Sequence, residues 1–411
     1  MARPGRSSPP QPSIEIVADD RGFSDLKSEW ERLWAASARQ EPMLSHLWIA
    51  GWWRHFRNDR TLSVGVIRIG REVVGIAPCC IRTFRYRGFL PFRRLELMGA
   101  EEGEDDGITS EYIGLLAAPG YEAVVAATFA AAVIGKKFGD FDECVLERMN
   151  GEDELIAFIE NAFERLGRPV ALDTLSMAPH VKLPEDWDTY LKSLPKKRRG
   201  SLTRSLRDLE VWAGADGYQL CRSDDRASFE RAFDIVARLH GERWQDSAHG
   251  GSFAKPKFSR FHREHGWSLA QAGLLDVVWL EVADEPLAAL YLLQSNGRIQ
   301  FYQSGRRLDV PRQIRPSIVT LALAIKDAIA RGYTEFDFLG NAVPYKTGFA
   351  RSLRPIVRLR YAPPSGRESV RKTLVHIRDF VRRRRNQATI AVAADSTDAA
   401  SDASAAAASA S

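Results

Sequence analysis

Apolar positions in the first half of the chain follow helical spacing in some stretches and strand spacing in others. Residues 25–36 and 45–56 repeat apolar side chains at helical intervals, and each stretch begins near a residue that can cap a helix. Residues 62–69 and 72–81 are two apolar runs around Gly70-Arg71, which predicts a hairpin. The pattern then predicts a strand, a helix, a strand and a helix, at residues 111–116, 121–134, 143–147 and 152–166.

The second half repeats this order of elements. The predicted elements are two helices (228–244, 257–265), three strands of a meander (276–282, 286–294, 298–304), a helix (317–331) and a strand (335–339). Asn296-Gly297 is a strong tight-turn signal inside the meander, and Gly332 is a typical helix stop. The doubled order predicts a tandem duplication of one α/β module.

Composition divides the chain into five segments. Its 411 residues exceed what one hydrophobic core usually supports, so we expect two domains. The Pro-, Ser- and Arg-rich start and the Ala- and Ser-rich end cannot bury a core, which predicts disorder at both. We predict a leader (1–13), two modules (14–180 and 181–364), a basic amphipathic helix (365–386) and a low-complexity tail (387–411).

The positive charge of the chain is concentrated near its C-terminal end. The net charge is +5, and residues 367–385 contain eight basic side chains against Glu368 and Asp379. The remainder is close to neutral, which argues against a DNA-binding protein. The basic helix could lie on an anionic membrane, meet an acidic partner or act as a solubilising segment.

Cysteine usage and hydropathy indicate the compartment. The four cysteines have neither zinc nor disulfide spacing, which is typical of a reducing environment. The start of the chain lacks an apolar signal segment, and the longest uncharged apolar run, 123–135, is shorter than the roughly 20 residues of a membrane span. We therefore expect a cytoplasmic protein without an integral span. The acidic residues 101–106 predict a solvated loop, and no metal site is expected.

A basic segment connects the two modules. Residues 192–207 contain seven basic side chains and no acidic one. Leu202, Leu206 and Leu209 recur at helical spacing, so the segment is predicted to be a helix with one apolar stripe and one basic face. The basic face is either a solvated surface or a clamp for an anionic ligand.

The most informative stretch is the predicted strand 298–304, the loop 305–316 and the helix that follows. A loop that leads onto a helix N-terminus presents unpaired backbone N–H groups and a positive dipole end, which together favour an anion. The loop adds Arg306, Arg307, Arg312 and Arg315. This chemistry suits a pyrophosphate, but no GxGxxG or GK[ST] motif is present, which disfavours a dinucleotide-binding or P-loop protein.

Several short segments carry a family resemblance by their order and spacing. They are 194–199 (Leu-Pro-Lys-Lys-Arg-Arg), 240–244 (His-Gly-Glu-Arg-Trp), 302–305 (Tyr-Gln-Ser-Gly), 315–317 (Arg-Pro-Ser), 336–340 (Phe-Asp-Phe-Leu-Gly) with Tyr345-Lys346, 29–33 (Glu-Trp-Glu-Arg-Leu) and Trp48. The chain resembles the GCN5-related N-acetyltransferase (GNAT) superfamily over most of residues 14–350, and within it the CelD/BcsL-like acetyltransferases of cellulose and exopolysaccharide synthesis. It departs from that family at Ser317-Ile318, where a glycine is usual, and in lacking a glycine-rich pyrophosphate loop.

The resemblance implies a fold and a function. The fold is α/β (α+β), with two tandem GNAT-like modules whose mixed, mostly antiparallel sheets are flanked by helices. The function is transfer of an acyl group from acyl-CoA, with acetyl-CoA as the expected donor, to an amine or hydroxyl of a sugar, amino sugar or related intermediate of polysaccharide biosynthesis. Two alternatives are a FemABX-like peptidyltransferase that uses aminoacyl-tRNA, and a catalytically silent binding protein of a polysaccharide-synthesis complex.

Candidate site residues follow from the chemistry and the resemblance together. His240 is the candidate base, because imidazole titrates near neutrality, and we expect it to line the acceptor side of the cleft with Asp337. Tyr345 is the third candidate catalytic residue. The candidates for acyl-CoA are Tyr302, Ser304, Arg312, Gln313, Arg315 and Ser317, and those for the acceptor are Lys196, Arg199, Arg243, Trp244 and Lys346. The alternatives are a packed structural His240, an Asp337 that pairs with Arg or Lys, and a core Trp244.

Overall fold

The structure is a computed structural model that describes residues 10–100, 107–214, 217–245 and 250–375. Most of the predicted leader, the acidic residues 101–106, the end of the basic helix and the low-complexity tail lie outside these ranges.

The first half of the chain alternates helices and strands. Its elements are β1 (Pro12–Val17), α1 (Asp20–Asp25), α2 (Lys27–Ala36), α3 (His46–Phe56), β2 (Arg60–Leu62), β3 (Val64–Ile69), β4 (Glu72–Ala77), β5 (Cys79–Tyr86), β6 (Leu90–Leu97), β7 (Leu116–Ala117), α4 (Glu122–Ile134), β8 (Glu143–Asn150), α5 (Glu154–Arg165) and β9 (Ala171–Lys182). Helix α3 begins at the predicted place because the Ser45 side chain accepts the backbone N–H of Trp48.

The second half contains longer helices and a three-stranded meander. Its elements are α6 (Trp187–Ser193), α7 (Lys196–Ala213), β10 (Tyr218–Arg222), α8 (Arg226–Trp244), α9 (Pro256–Gln271), β11 (Leu275–Val282), β12 (Glu285–Ser295), β13 (Arg298–Arg306), α10 (Pro316–Ala330), β14 (Glu335–Asp337), α11 (Pro344–Thr347) and β15 (Ser352–Tyr361). Residues 366–375 are helical. Asp225 and Ser228 form a capping box at the start of α8.

The described strands form two sheets. A four-stranded sheet has the order β1-β3-β4-β7, and an eleven-stranded sheet has the order β10-β11-β12-β13-β14-β9-β15-β8-β6-β5-β2. Pairing is antiparallel except between β13 and β14 and between β6 and β8. The predicted fold class of mixed, mostly antiparallel sheets flanked by helices is confirmed.

Strands β9 and β15 join the two halves. β9 pairs with β14 on one side and with β15 on the other, and β15 pairs in turn with β8. The large sheet therefore runs without interruption from the first half into the second. The predicted boundary at 180/181 lies inside β9, and the division into two modules stays a prediction.

Helices of both halves pack against each other beside the sheet. Trp48 of α3 and Phe261 of α9 meet edge to face, with ring centroids 5.0 Å apart. Helix α7 packs on α10 and buries Leu202 and Leu209, the apolar stripe expected from its sequence. None of the described helices is long and apolar enough to cross a membrane.

Two predicted strands are shorter than expected because the backbone turns. The prediction of a strand over 111–116 reduces to Leu116–Ala117, and that over 335–339 ends at Asp337. Tyr112 has a φ of 59° and Leu339 a φ of 54°. A left-handed residue cannot continue an extended strand, so both segments become loops.

The described start of the C-terminal helix is held against the body. Glu368 is buried and pairs with Arg360 of β15 and with Arg371. Arg367 lies 3.3 Å from Asp142, which precedes β8. Residues 366–375 are therefore attached to the sheet through ion pairs.

Candidate active site

A cleft opens where the two halves of the chain face each other. Its volume is about 520 Å³. The end of α8, the middle of β13, the loop after β14 and residues 109–111 of the first half surround it. The predicted site residues that line it are His240, Arg243, Trp244, Tyr302, Ser304, Tyr345 and Lys346.

The loop of residues 107–112 is fastened to both halves. Tyr302 Oη donates to the carbonyl of Ile108, which ties the loop to β13. Trp48 Nε1 donates to Ser110 Oγ over 2.9 Å, which ties it to α3. These contacts fix the position of Glu111, the residue after Ser110.

The backbone on both sides of the cleft is left-handed at residues other than glycine. Thr109 and Tyr112 have φ values of 50° and 59°, and Leu339 and Asn341 have φ values of 54° and 70°. Such residues cost on the order of 1–3 kcal/mol each and persist where the surrounding contacts hold them. Their concentration here points to a functional site.

Glu111 places a buried carboxylate in the cleft. Its Oε2 accepts the backbone N–H of Gly340 over 2.6 Å, and its Oε1 lies 4.0 Å from Arg148 Nη1. A Cβ atom on Gly340 would lie 2.6 Å from Oε1, so a larger residue there would displace the carboxylate or the loop. Burial raises the pKa of Glu111, while the Gly340 N–H and Arg148 oppose the rise.

Lys346 holds the loop that carries Gly340. Its Nζ donates to the carbonyls of Phe338 and Gly340 over 2.7 and 2.8 Å. Burial lowers the pKa of Lys346, and Glu111 opposes that shift. An ammonium group has three donors, so one remains for a ligand.

Tyr345, Arg243 and Trp244 form the open side of the cleft. Burial raises the pKa of the Tyr345 phenol, and a hydrogen bond from Arg243 opposes this shift. Arg243 also donates to Ser304 Oγ over 3.2 Å and lies 5.3 Å from the Trp244 ring. Trp244 is 39% exposed, so it is not a core residue.

Both ring nitrogens of His240 are engaged. Nδ1 lies 2.8 Å from the carbonyl oxygen of Ser304 and must carry the proton. Nε2 then accepts the backbone N–H of Ser252 over 3.1 Å. Burial lowers the pKa of His240. The lone pair that a base needs is occupied, so these contacts favour the structural alternative, in which His240 connects α8, β13 and residues 251–253.

Asp337 does not line the cleft, contrary to expectation. Its carboxylate is fully buried, pairs with Arg354 of β15 and accepts the hydroxyl of Tyr112. It also accepts the backbone N–H of Leu339 over 2.8 Å. Burial raises its pKa, and Arg354 opposes that shift. The arrangement corresponds to the structural role, because Arg354, the Tyr112 hydroxyl and the Leu339 N–H together satisfy the buried carboxylate.

The remaining cofactor candidates lie at the start of α10. Arg312, Gln313 and Arg315 are exposed, and Ser317 is half-buried. No side chain caps α10. Pro316 has no N–H group, and the N–H groups of Ile318 and Val319 donate to the Arg315 carbonyl, which leaves the N–H of Ser317 for a ligand. Arg315 Nη1 donates to Ser201 Oγ of α7 over 3.0 Å, so this site adjoins the basic helix.

A second depression of about 510 Å³ lies between α7 and the segment 347–351. Lys197, Arg198 and Arg351 line it. The predicted acceptor residues Lys196 and Arg199 line neither this depression nor the cleft; Arg199 instead points to the carbonyl of Lys192 at 3.4 Å.

A comparison with known protein families matches much of the second half. Residues 196–347 match the family model described as "Acetyltransferase (GNAT) domain". No curated protein sequence matches the chain significantly.

Solved structures resemble nearly the whole described chain. FemX is 11% identical, with a TM-score of 0.59 over 85% of this chain and 97% of FemX. A conserved protein of unknown function from Bacteroides thetaiotaomicron is 11% identical, with a TM-score of 0.52 over 85% of this chain and 100% of that one. The C-terminal domain of a putative lysylphosphatidylglycerol synthetase from Agrobacterium fabrum is 11% identical, with a TM-score of 0.50 over 86% and 95%. At this identity the likeness shows the fold alone.

Sequence reasoning missed Glu111. It was assigned to a strand, because Glu111 precedes a short apolar run. Its partner Gly340 is 229 positions away, so no local spacing connects them. The Phe336–Gly340 segment was recognised as informative, but the carboxylate that meets its glycine comes from the other half of the chain.

Proposed function

We propose that the protein transfers an acyl group from acyl-CoA, with acetyl-CoA as the first candidate, to an amine or hydroxyl in the cleft. The observation that carries the proposal is the buried Glu111 carboxylate, which lines one cleft with Tyr345 and Lys346 of the segment that matches the GNAT family model. Such a site provides a proton acceptor and a proton donor in one cleft.

Glu111 is the proposed general base. Its raised pKa brings a carboxylate closer to neutrality, where it accepts a proton more readily. The acceptor nitrogen or oxygen attacks the thioester carbonyl carbon as Glu111 Oε1 takes its proton. A new C–N or C–O bond forms and the C–S bond breaks.

Tyr345 is the proposed acid for the departing thiolate. Its raised pKa keeps the phenol protonated at neutral pH, and Arg243 stabilises the phenolate after the proton has left. The remaining N–H of Lys346 is a candidate donor for the oxyanion of the tetrahedral intermediate. Atoms and charge balance, since the proton lost to Glu111 is replaced by the one that Tyr345 supplies.

The start of α10 suits the pyrophosphate of acyl-CoA. The uncapped helix end supplies the N–H of Ser317 and a positive dipole end, and Arg312 and Arg315 supply charge beside it. Ser317 and Gln313 add polar groups. Tyr302 and Ser304, the other two cofactor candidates, lie on β13 and line the cleft.

The acceptor is proposed to be a sugar or amino sugar of polysaccharide biosynthesis. The exposed Trp244 ring offers a flat apolar surface for a pyranose face. Gln303, Ser252 and Asn341 also line the cleft and provide hydrogen-bonding groups around it. A cytoplasmic location is proposed with it, since Cys79, Cys80 and Cys144 are buried free thiols.

A second candidate is aminoacyl transfer from aminoacyl-tRNA. The likeness to FemX and the exposed side chains of Lys196, Lys197, Arg204 and Arg207 on α7 support it. A catalytically silent binding protein is the third.

Calorimetry with acetyl-CoA, CoA and tRNA would separate the three candidates. Binding of acetyl-CoA and CoA, followed by release of free CoA thiol when glucosamine or a related amino sugar is added, supports acyl transfer. Binding of tRNA without CoA binding would replace it with the second candidate. Binding of neither would leave the third and overturn the proposal.

A further inference from the structure

A cluster of three side chains joins the two halves at a place separate from the cleft. His55 lies in α3, and Glu264 and His265 are neighbours in α9. One ring nitrogen from each histidine and a carboxylate oxygen of Glu264 all lie within 4.8 Å of one another. None of the three lines the cleft.

The hydrogen bonds of His55 do not suit a neutral imidazole. Nδ1 lies 2.9 Å from the carbonyl of Gly51 and must donate to it. A neutral ring then presents the lone pair of Nε2 to Glu264 Oε2, which is only 3.1 Å away. Two acceptors face each other unless a cation lies between them or the ring carries a second proton. A donor bond from the far ring nitrogen to a backbone carbonyl is the usual arrangement of a metal-bound histidine.

One ring nitrogen of His265 has no hydrogen-bond partner among the described residues. The residue is 7% exposed, and its Nε2 forms no hydrogen bond with any described residue. A buried polar atom without a partner is costly and calls for an explanation. Its ring lies edge to face with that of His55, with centroids 5.2 Å apart.

We propose that His55, Glu264 and His265 bind one divalent transition-metal ion, with Zn²⁺ the best match. Two imidazoles and one carboxylate are a common Zn²⁺ ligand set, and water completes the tetrahedron. Bonds of about 2.0–2.1 Å place ligand atoms roughly 3.3 Å apart, which the His55–Glu264 pair already satisfies. The Glu264 side chain is 50% exposed and can turn to close the remaining distance.

The bound ion would connect the two halves, because its ligands come from α3 and from α9. α3 and α9 come from different halves, and they pack through Trp48 and Phe261 near His262. His262 in turn contacts the hydroxyl of Tyr302, which lines the cleft. An ion that binds only the folded chain stabilises it by mass action, and here it would stabilise the packing beneath the cleft.

Metal uptake by the untagged full-length chain tests the site. The chain is stripped with a chelator, dialysed against micromolar Zn²⁺ or millimolar Mg²⁺, and analysed for bound metal and unfolding temperature. We expect one Zn²⁺ per chain and a higher unfolding temperature, and neither effect with Mg²⁺. His265→Gln and Glu264→Gln should each weaken Zn²⁺ binding by more than about tenfold.

Matched controls distinguish this site from other ligands. His46→Gln, a buried histidine of the same helix, Glu230→Gln and Cys221→Ser should all keep Zn²⁺ binding. Glu264→Gln changes a half-exposed side chain, so it remains informative if the histidine variants do not fold. Absence of Zn²⁺ uptake by the unmodified chain, or uptake unchanged in Glu264→Gln and His265→Gln, overturns the proposal. A lower unfolding temperature of Glu264→Gln without any Zn²⁺ uptake would instead identify a protonated His55–Glu264 ion pair.

Discussion

The backbone N–H of Gly340 donates a 2.6 Å hydrogen bond to Glu111, from a residue 229 positions away in the sequence. This contact connects the first half of the chain to the loop after β14 at the edge of the cleft. The proposed base is therefore supplied by one half, while Tyr345 and Arg243 come from the other half, which matches the GNAT family model. Neither half contains the complete site.

Glu111→Gln should remove proton acceptance and leave binding intact. We expect kcat to fall by roughly 10²- to 10⁴-fold with little change in the affinity for acetyl-CoA. In the unmodified chain, activity should fall as the pH drops through the raised pKa of Glu111, because only the carboxylate accepts a proton. The variant should lose this acid limb. Glu230→Gln is the control, and an unchanged kcat in Glu111→Gln would exclude this residue as the base.

Gly340→Ala should disturb the cleft through a steric contact. A Cβ atom would lie 2.6 Å from Glu111 Oε1, so the carboxylate or the loop must move. We expect a loss of about 1–3 kcal/mol in the free energy of unfolding together with reduced kcat. Gly200→Ala in α7 is the control, because nothing lies within 4 Å of its added Cβ. Urea unfolding of both variants compares them directly, and equal stabilities would contradict the clash.

His240→Asn should destabilise the protein and leave the pH profile unchanged. The substitution removes the bonds to Ser304 and Ser252, which we expect to cost about 1–3 kcal/mol. If activity and stability fall together and the pH profile keeps its acid limb, the result supports the structural role of His240. If instead kcat fell strongly at full stability and the pH limb disappeared, His240 would be the base.

The double variant Arg312→Ala, Arg315→Ala should weaken CoA binding. Both guanidinium groups lie beside the uncapped start of α10, so their loss should reduce the affinity by about tenfold, which is close to 1.4 kcal/mol. Arg21→Ala is the control, because Arg21 is fully exposed on α1. Calorimetry at two salt concentrations should also give a smaller salt dependence in the double variant. Unaltered affinity would refute the placement of the pyrophosphate.

Glu368 should make the docking of residues 366–375 sensitive to acid. Ion pairs with Arg371 and Arg360 lower its pKa from 4.5 to about 2, against the effect of burial. A lowered carboxyl pKa contributes stability that is complete above the unfolded value and is lost as the pH falls through the folded value. The difference in unfolding temperature between the unmodified chain and Glu368→Gln should thus be constant above about pH 5 and shrink towards pH 2.

Two truncations examine the same contact. Ending the chain after residue 375 should preserve the unfolding temperature, because Glu368 keeps its partners. Ending it after Pro364 should lower the temperature, since Arg360 loses its ion pair with Glu368 and keeps only the one with Glu143. Equal unfolding temperatures would mean that the helix contributes nothing to the body.

Much of the fold could be predicted from local patterns, but the strands β9 and β15 that join the two halves could not. Periodicity placed α2, α3, α8 and α10 within a few residues of their observed bounds. β9 and β15 were not predicted. β15 contains a proline and several arginines, and its strand conformation is decided by pairing with β9 and β8 rather than by its own composition.

Only part of the candidate site could be predicted, because some of its residues are brought together by contacts that are distant in the sequence. Four of the predicted residues line the cleft: Arg243, Trp244, Tyr345 and Lys346. They lie in the short segments that carry the family resemblance. The prediction that Asp337 lines the cleft was wrong. Strand alternation gives the side of the sheet on which a side chain lies, but it cannot show that Asp337 pairs with Arg354 of β15. Glu111 has no local signal at all, and only tertiary structure reveals it.

The position of β15 has a consequence for synthesis on the ribosome. β8 ends at Asn150 and β9 at Lys182, but the strand that lies between them begins only at Ser352. During translation the facing edges of β8 and β9 stay unpaired until that late segment emerges. Unpaired edges invite association with other chains, so the nascent protein exposes two strand edges to such contacts until β15 emerges.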